Sequence, residues 1–523
     1  MQRNGLPLRA FTPGFLTWLL LTAFSTGWCQ QAQPQPADSD TVALTAAVHE
    51  LQAQVQELRA AVAEVRSQAA EYREQTDELR RELALTRQSA APAPQMNAPA
   101  VSVAASATAQ EKSSLADRVS SLEETTSLLN NKVNEEAQTR VESGSKYHVR
   151  LSGLVLMNLF NNRGTTDNAD LPSFALAPSS ALPGGNFGAT IRQSEIGLEV
   201  FGPQFAGARV SGNLTADFTG GFPNTWNGVN SGLFRMLTAN IRMDWENTSV
   251  VAGQDSLFVS PLSPTSFASV AIPTFNYAGN LWSWTPQVRI EHKIHLGDDQ
   301  EVLIQGGILD NLTGDFPSSS FDRVPQGGER SGQPAYAART AWTTNLFGSP
   351  MTLGAAGYYS RQNWQFGRTV DGWAGMADWN IPIGPLFSLS GEFYSGRAIG
   401  GINAGIGRSV LYNGNPTLNT TVAYGLHSRG GWSQLKLKAT PKLEFNAAFG
   451  LDNPDASEAR EFSAGSVYIG PALVRNVGSL GNVIYRPRSN LILSAEYKHL
   501  ETASAVGNSY PANQLNMIMG ILF

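Results

Sequence analysis

The chain has 523 residues, 50 of them glycine, with 15% charged residues and a formal net charge of -6, room for two or three domains of ordinary size. So mild a charge argues against a nucleic-acid partner, which would favour a basic face. Beyond the first thirty residues no run of eighteen apolar residues occurs, which argues against a helical membrane protein.

Residues 1–29 have the layout of a secretory signal peptide: Arg3 and Arg9, then an apolar segment at 15–24, then small residues at Ser25 and Gly27. The only cysteine, Cys29, stands at the cleavage edge. It either carries lipid or sits beside an ordinary cleavage site. Trp28, where a lipoprotein signal wants a small residue, favours the second. With a single thiol there is no disulfide framework and no thiol catalysis to expect.

Residues 41–87 carry a narrow stripe, Leu44, Val48, Leu51, Val55, Leu58, Val62, Val65, Ala69, Tyr72, Thr76, Leu79 and Leu83, spaced alternately by four and three. That period keeps one seam facing a partner helix and predicts a coiled coil. Val and Leu at the seam lean towards a dimer, while the Ala69, Tyr72 and Thr76 layers blur the preference. Residues 88–111 are an Ala/Pro/Ser linker. A second coiled-coil segment follows at 112–142, with Leu115, Val119, Leu122, Thr126, Leu129 and Val133 on its seam.

From residue 146 to 523 the period becomes two. Val210, Gly212, Leu214, Ala216 and Phe218 alternate with Arg209, Ser211, Asn213, Thr215 and Asp217, and Leu237, Ala239, Ile241, Met243 and Trp245 with Thr238, Asn240, Arg242 and Asp244. The apolar rows often end in an aromatic residue, as a membrane-interface girdle does. Sixteen such segments can be drawn, at about 147–160, 187–201, 207–219, 234–246, 248–257, 284–295, 301–310, 334–344, 351–362, 371–381, 385–397, 430–440, 442–452, 475–486, 489–500 and 512–523. Short links alternate with long Gly-, Asn- and Ser-rich ones, the outer-membrane barrel pattern. A sheet in lipid must close, because hydrocarbon cannot satisfy a free edge, and about sixteen strands leave a watery lumen. The fold class is therefore an all-β transmembrane barrel preceded by an α-helical coiled coil. The last strand, "NQLNMIMGILF", presents Leu515, Met517, Met519, Ile521 and Phe523 on one face and closes against the first.

The inward rows hold Arg209, Arg242, Arg289, Lys293, Arg339, Lys436, Lys438 and Lys498 against Glu195, Glu199, Asp217, Asp244, Glu291, Glu392, Glu444 and Glu496. These are the pore-lining candidates. Charged rings can set ion preference, or cross-strand pairs can simply keep a wall polar, and signs this balanced predict no selectivity. Loop 258–283 is nearly uncharged and rich in Ser, Pro and aromatics. It can fold inward and narrow the channel, cap the outside, or contact another protein. The six histidines are scattered, and no Ser–His–Asp grouping, metal-ligand spacing or cofactor motif emerges, so no enzyme, metal or cofactor is expected. "DNLTGD" (310–315) lacks most ligand positions of a calcium loop and reads as a polar loop tip.

Signal peptide, coiled coil, barrel and terminal Phe523 together resemble the bacterial outer-membrane porins, in particular the DcaP-like trimeric porins. "VAGQDSLFVSPLSP" (251–264), "NLWSWTPQVRIEHKI" (280–294) and "GNVIYRPRSNLILSAEYKHL" (481–500) are similar to that family's strand–loop–strand and near-terminal hairpin. The resemblance implies a homotrimer in outer-membrane lipid, with the coiled coil in the periplasm. It also implies passive uptake of small hydrophilic, often anionic solutes, and a terminal Phe523 read by the barrel-assembly machinery. A sugar-specific porin, which would need a lumenal ladder from Trp282, Trp284, Trp364 and Trp373, and a coiled-coil tether or adhesin with a barrel anchor are the competing readings.

Overall fold

The structure, a computed structural model, describes residues 148–178, 184–222, 232–297, 299–315, 323–462 and 472–523. The expected signal peptide, both coiled-coil segments and the linker lie outside these residues. Within them, sixteen antiparallel strands form one sheet. They are β1 (His148–Arg163), β2 in two pieces (Gly185–Thr190 and Glu195–Phe201), β3 (Arg209–Asp217), β4 (Arg235–Asp244), β5 (Thr248–Ser256), β6 (Trp284–Gly297), β7 (Gln300–Leu309) and β8 (Ala335–Leu346). Then come β9 (Ser349–Asn363), β10 (Thr369–Ile383), β11 (Phe387–Arg397), β12 (His427–Thr440), β13 (Leu443–Pro454), β14 (Leu473–Arg488), β15 (Leu491–Ser504) and β16 (Ser509–Leu522).

Each strand pairs with its neighbour in sequence, and β16 pairs with β1 from Leu154↔Leu522 to Arg163↔Asn513, so the sheet has no edge. Phe523 extends the seam: its N–H donates to Gly153 O at 3.0 Å and its carbonyl accepts from Gly153 N–H at 2.8 Å. All sixteen segments read from the alternation are present. The alternation did not show the break in β2, where Ile191–Ser194 leave the ladder and the Ser194 N–H donates to Ile191 O at 3.1 Å.

Side chains sort by parity, as a pleated closed sheet requires. On β16, Leu515, Met517, Met519 and Ile521 are exposed, whereas Asn516 is fully buried. The same outward row continues through Val155, Met157 and Leu159 of β1, Val288 and Ile290 of β6, and Phe445 and Phe449 of β13, all exposed. A soluble protein rarely leaves so large a continuous apolar belt in water. One expected face is corrected. Leu237 was assigned to the outward row of β4, but the register slips between Thr215↔Thr238 and Ala216↔Met236. This bulge leaves Met236 at 46% exposure and Leu237 at 4%, because the extra residue reverses parity beyond it.

Turns at one end, such as 347–348 and 441–442, are short, while most links at the other end are long. Several long links enter the barrel. Residues 164–178 dock through Ala175 N–H on Thr502 Oγ1 (2.8 Å) and Lys498 Nζ on Pro172 O (2.9 Å). Residues 398–408 dock through Ile406 N–H on Asp452 Oδ2 (2.7 Å).

Candidate functional site

The segment 257–283 runs from the end of β5 to the start of β6, contains no Asp, Glu, Lys or Arg, and lies inside the barrel. Its anchors come from widely separated strands, which only an interior path allows. Ser260 Oγ donates to the buried Glu392 carboxylate on β11. Thr265 N–H donates to Gln434 Oε1 on β12 at 2.6 Å, and Asn482 Nδ2 on β14 donates to Thr265 O at 2.8 Å. In the break of β2, Gln193 donates to Ala268 O at 3.0 Å and accepts from Val270 N–H at 2.9 Å. From β4, Arg235 Nη2 donates to Ala271 O at 2.6 Å. Of the three paths open to this loop on sequence grounds, the inward one is realised.

The wall that receives the loop is a rung of amides and a carboxylate in register: Asn446↔Asn482, Asn482↔Glu496 and Glu496↔Asn516. Asn446 Nδ2 donates to Asn482 Oδ1 at 2.9 Å, and Asn482 Nδ2 to Glu496 Oε2 at 3.0 Å. Apolar inward residues flank the rung: Leu154, Leu156, Ile484, Ile492 and Ile518 pack around Ala268. Burying polar groups is tolerable only with partners; the members of the rung mostly serve one another, and the loop backbone adds Thr265 O for Asn482.

The facing wall is different. Arg242 Nε pairs with Asp244 at 2.7 Å and its Nη2 with Glu291 at 3.0 Å; Glu291 also accepts from Arg289 Nε at 2.7 Å, and Arg289 pairs with Asp255 at 2.7 Å. Gln305 links this chain to the bidentate Arg339–Asp378 pair, through 3.0 Å to Glu291 and 3.2 Å from Arg339. Arg235 holds Asp217 and lies 5.0 Å over the Trp284 ring. Here side chains keep solvent: 35% for Arg242, 25% for Asp244 and 25% for Arg235. On the opposite wall Asn482 and Glu496 keep 7% and 1%. Solvent therefore reaches the charged wall at Arg235, Arg242 and Asp244, whereas Arg289 (10%) and Glu291 (12%) are largely covered and Asp217 is sealed.

The remaining candidates fall in three places. Lys436 (3.4 Å) and Arg486 (3.5 Å) both reach Glu444. Lys293 pairs with Glu301 at 3.3 Å and Glu199 with Arg150 at 3.4 Å, both towards the short-turn end. Arg209 and Lys438 are exposed there and make no ion pair among the described residues. Glu392, Glu496 and Lys498 are inward but sealed beneath the loops, with Lys498 spent on a backbone carbonyl. In the loop 164–178, Asp167 accepts from Ser173 N–H (2.8 Å) and Phe174 N–H (3.0 Å). Burial nonetheless pushes its carboxyl above the ordinary value, partly offset by those bonds and by Lys498.

Sequence reasoning missed Asp255 and Asp378, although strand parity would have placed both inward, and it missed Arg235, which the bulge in β4 turns inward against its sequence parity. It also missed Gln193 and Asp452. Parity places Asp452 on the inward row with Glu444 and Asn446, but no local pattern marks its role or that of Gln193, because both serve loops that meet them across the barrel.

No protein-family model and no curated protein matches the sequence. Solved structures do. The outer membrane channel DcaP of Acinetobacter baumannii superposes with a TM-score of 0.56 at 18% identity, covering 74% of this chain and all (100%) of that one. An anion-selective porin from Comamonas acidovorans aligns with a TM-score of 0.43 at 12% identity over 72% of this chain and 100% of its own. The outer-membrane protein OmpT of Vibrio cholerae gives 0.43 at 10% over 73% and 100%. At these identities the likeness speaks for the fold. The closed sixteen-strand sheet, its apolar outer belt and the superposition on DcaP give this chain the fold of the bacterial outer-membrane porins.

Proposed function

We propose that the chain forms a water-filled outer-membrane channel for passive diffusion of small hydrophilic solutes or ions. The observation that carries this reading is the asymmetric interior: a neutral infolded loop sealed on one wall, and on the other a network of paired charges that keeps solvent at Arg235, Arg242 and Asp244. The solvated charges Arg242 and Asp244 line the narrow region in this reading, with the more deeply covered Glu291 and Arg289 linked to them by ion pairs and Asp217 paired to Arg235 beside them. Arg209, Lys293, Lys436, Lys438 and Glu444 line the wider mouth at the short-turn end, which faces the periplasm. Arg339, Glu392, Glu496 and Lys498 support the loops and wall behind the path.

A homotrimer belongs to the same reading. The outward face of β8–β10 is flat and small, with Ala338↔Gly357, Gly357↔Gly375, Thr340↔Ala355 and Ala355↔Ala377 in register. Such a face lets a second barrel approach closely. The sugar-porin alternative loses its aromatic ladder. Trp373 is on the outward row at 45% exposure, Trp364 packs on Tyr412, and only Trp282 and Trp284 meet, at 4.8 Å.

The test is the purified protein in planar bilayers. Stepwise conductance is expected, and persistent silence from well-folded barrels refutes the reading. Reversal potentials across a salt gradient, for the parent and for Arg289→Gln, then read selectivity: removing Arg289 leaves Asp255 and Glu291 less compensated and shifts preference towards cations. Deleting residues 41–141 leaves conduction in place for a channel, whereas a tether loses its role.

A further inference from the structure

Segment 273–280 is the most contorted part of the infolded loop. Phe275 and Tyr277 both sit in the left-handed region, at φ 62° and 58°, with Gly279 at φ 100° between them and β6. A large aromatic side chain adopts that conformation at a cost, and only where its surroundings hold it. The holding groups are visible. Ala278 N–H and Asn280 N–H both donate to Phe275 O, at 2.7 and 3.2 Å, and Asn476 Nδ2 on β14 donates to Tyr277 O at 2.8 Å.

The Phe275 ring itself, 1% exposed, enters the barrel wall among Trp432, Ala448 and Leu480. The floor of that recess is a pair of glycines directly opposite one another on adjacent strands, Gly450↔Gly478. Both belong to inward rows where a side chain would otherwise stand. A Cβ at Gly478 would come within 2.7 and 2.9 Å of the Phe275 ring, and one at Gly450 would strike Ala278 O and lie 2.8 Å from the ring. Gly279 is pressed so closely on Gly431 O and Leu451 O that it too has no room for a Cβ. Neither glycine of the pair has a positive φ. What they supply is space, not backbone freedom.

We infer that the Gly450–Gly478 pair is a socket for Phe275, and that this plug sets how far the loop 257–283 projects across the lumen towards Arg242 and Asp244. It makes Phe275, Gly450 and Gly478 positioning residues for the aperture, with no contact to solute. The inference rests on the porin reading for its consequence, but the socket can be tested without it.

The experiment uses the full chain as parent, Phe275→Ala, Gly478→Ala, and the control Gly481→Ala. Gly481 lies on the same strand, and a Cβ there meets nothing within 4 Å. Hydrogen exchange of peptides covering 258–283 is followed in detergent micelles, alongside single-channel conductance. Emptying the socket is expected to lower protection of the loop peptides by about 1,000-fold, the scale for losing a buried aromatic side chain. Filling it is expected to lower protection by roughly 10- to 100-fold, the scale for overpacking. The β12–β16 peptides and the Gly481→Ala protein keep their protection. Conductance rises in both socket variants. Unchanged loop exchange overturns the inference, and so does a uniform loss of protection across the whole barrel, since that would make the pair structural rather than positional. If the parent itself never conducts, the porin reading falls, and loop exchange still decides the socket.

Discussion

A charge placed on the outward row of β16 should cost an amount set by its depth in the bilayer. Met517 is 57% exposed, lies between Leu515 and Met519 on the outward row, and pairs with Leu159 and Ala495. It stands six residues before Phe523. At a rise of ~3.4 Å per residue and a tilt of ~40°, that places it about 16 Å above the short-turn rim, close to the middle of an apolar band ~25 Å tall. Met517→Arg should therefore destabilise the barrel by about 2–4 kcal/mol, whereas Ile521→Arg, about 5 Å from the rim, should cost roughly 0–1 kcal/mol. The assay is reversible urea unfolding of the protein folded in phosphatidylcholine vesicles, followed by tryptophan fluorescence. Equal costs at the two positions, or a Met517→Arg penalty no larger than that of a solvent-facing substitution, would refute both the facing of the row and its immersion in lipid.

Asp378→Asn leaves Arg339, 6% exposed, without its bidentate partner; an unfolding loss of about 3–5 kcal/mol is expected in the same assay, with the double replacement Arg339→Met/Asp378→Leu close to neutral. Deleting Phe523 removes both seam hydrogen bonds to Gly153, and should reduce the yield of heat-modifiable barrel on gels while leaving the conductance of the fraction that folds unchanged. Gly357→Trp raises a bulky ring on the flat face of β8–β10 and should shift native-gel mobility from that of the proposed trimer to that of a monomer. Because burial holds the Asp167 carboxyl above its unfolded value, the native state binds the extra proton: docking of 164–178 is strongest below the unfolded pKa and weakens as pH rises through the folded one. Exchange of that peptide, corrected for intrinsic rate, should accelerate with pH in the parent and not in Asp167→Asn.

Strand count, strand order and the facing of most residues were legible because a closed sheet imposes one rule, period two, on every segment. The failures have specific physical causes. Leu237 was assigned to the wrong face because a bulge costs one residue of parity and leaves no compositional mark. The break in β2 was hidden because "RQSE" (192–195) has ordinary strand polarity, and its purpose, presenting Gln193 to the loop, depends on residues 268–271 elsewhere in the chain. The inward rows were read as polar faces lining a watery lumen. In fact Leu156, Ile484 and Ile492 face inward and are dry, since the loop rather than water lies against them. An inward aliphatic residue on a strand of a wide barrel is thus a sign of a loop that enters.

The seam between β1 and β16 joins residues near opposite ends of the barrel sequence, Leu154 to Leu522 and Arg163 to Asn513. Every other pairing in the sheet links neighbours in the chain and can form as a local hairpin. This one alone spans the whole domain, so its loop-closure entropy is the largest in the molecule. Until it forms, β1 and β16 are two free edges with unpaired backbone groups, a state that hydrocarbon penalises and that invites edge-to-edge association with other chains. Closure is therefore the late step of assembly and the one that most needs catalysis, and the most aggregation-prone species is a barrel complete in every hairpin but still open at a single seam.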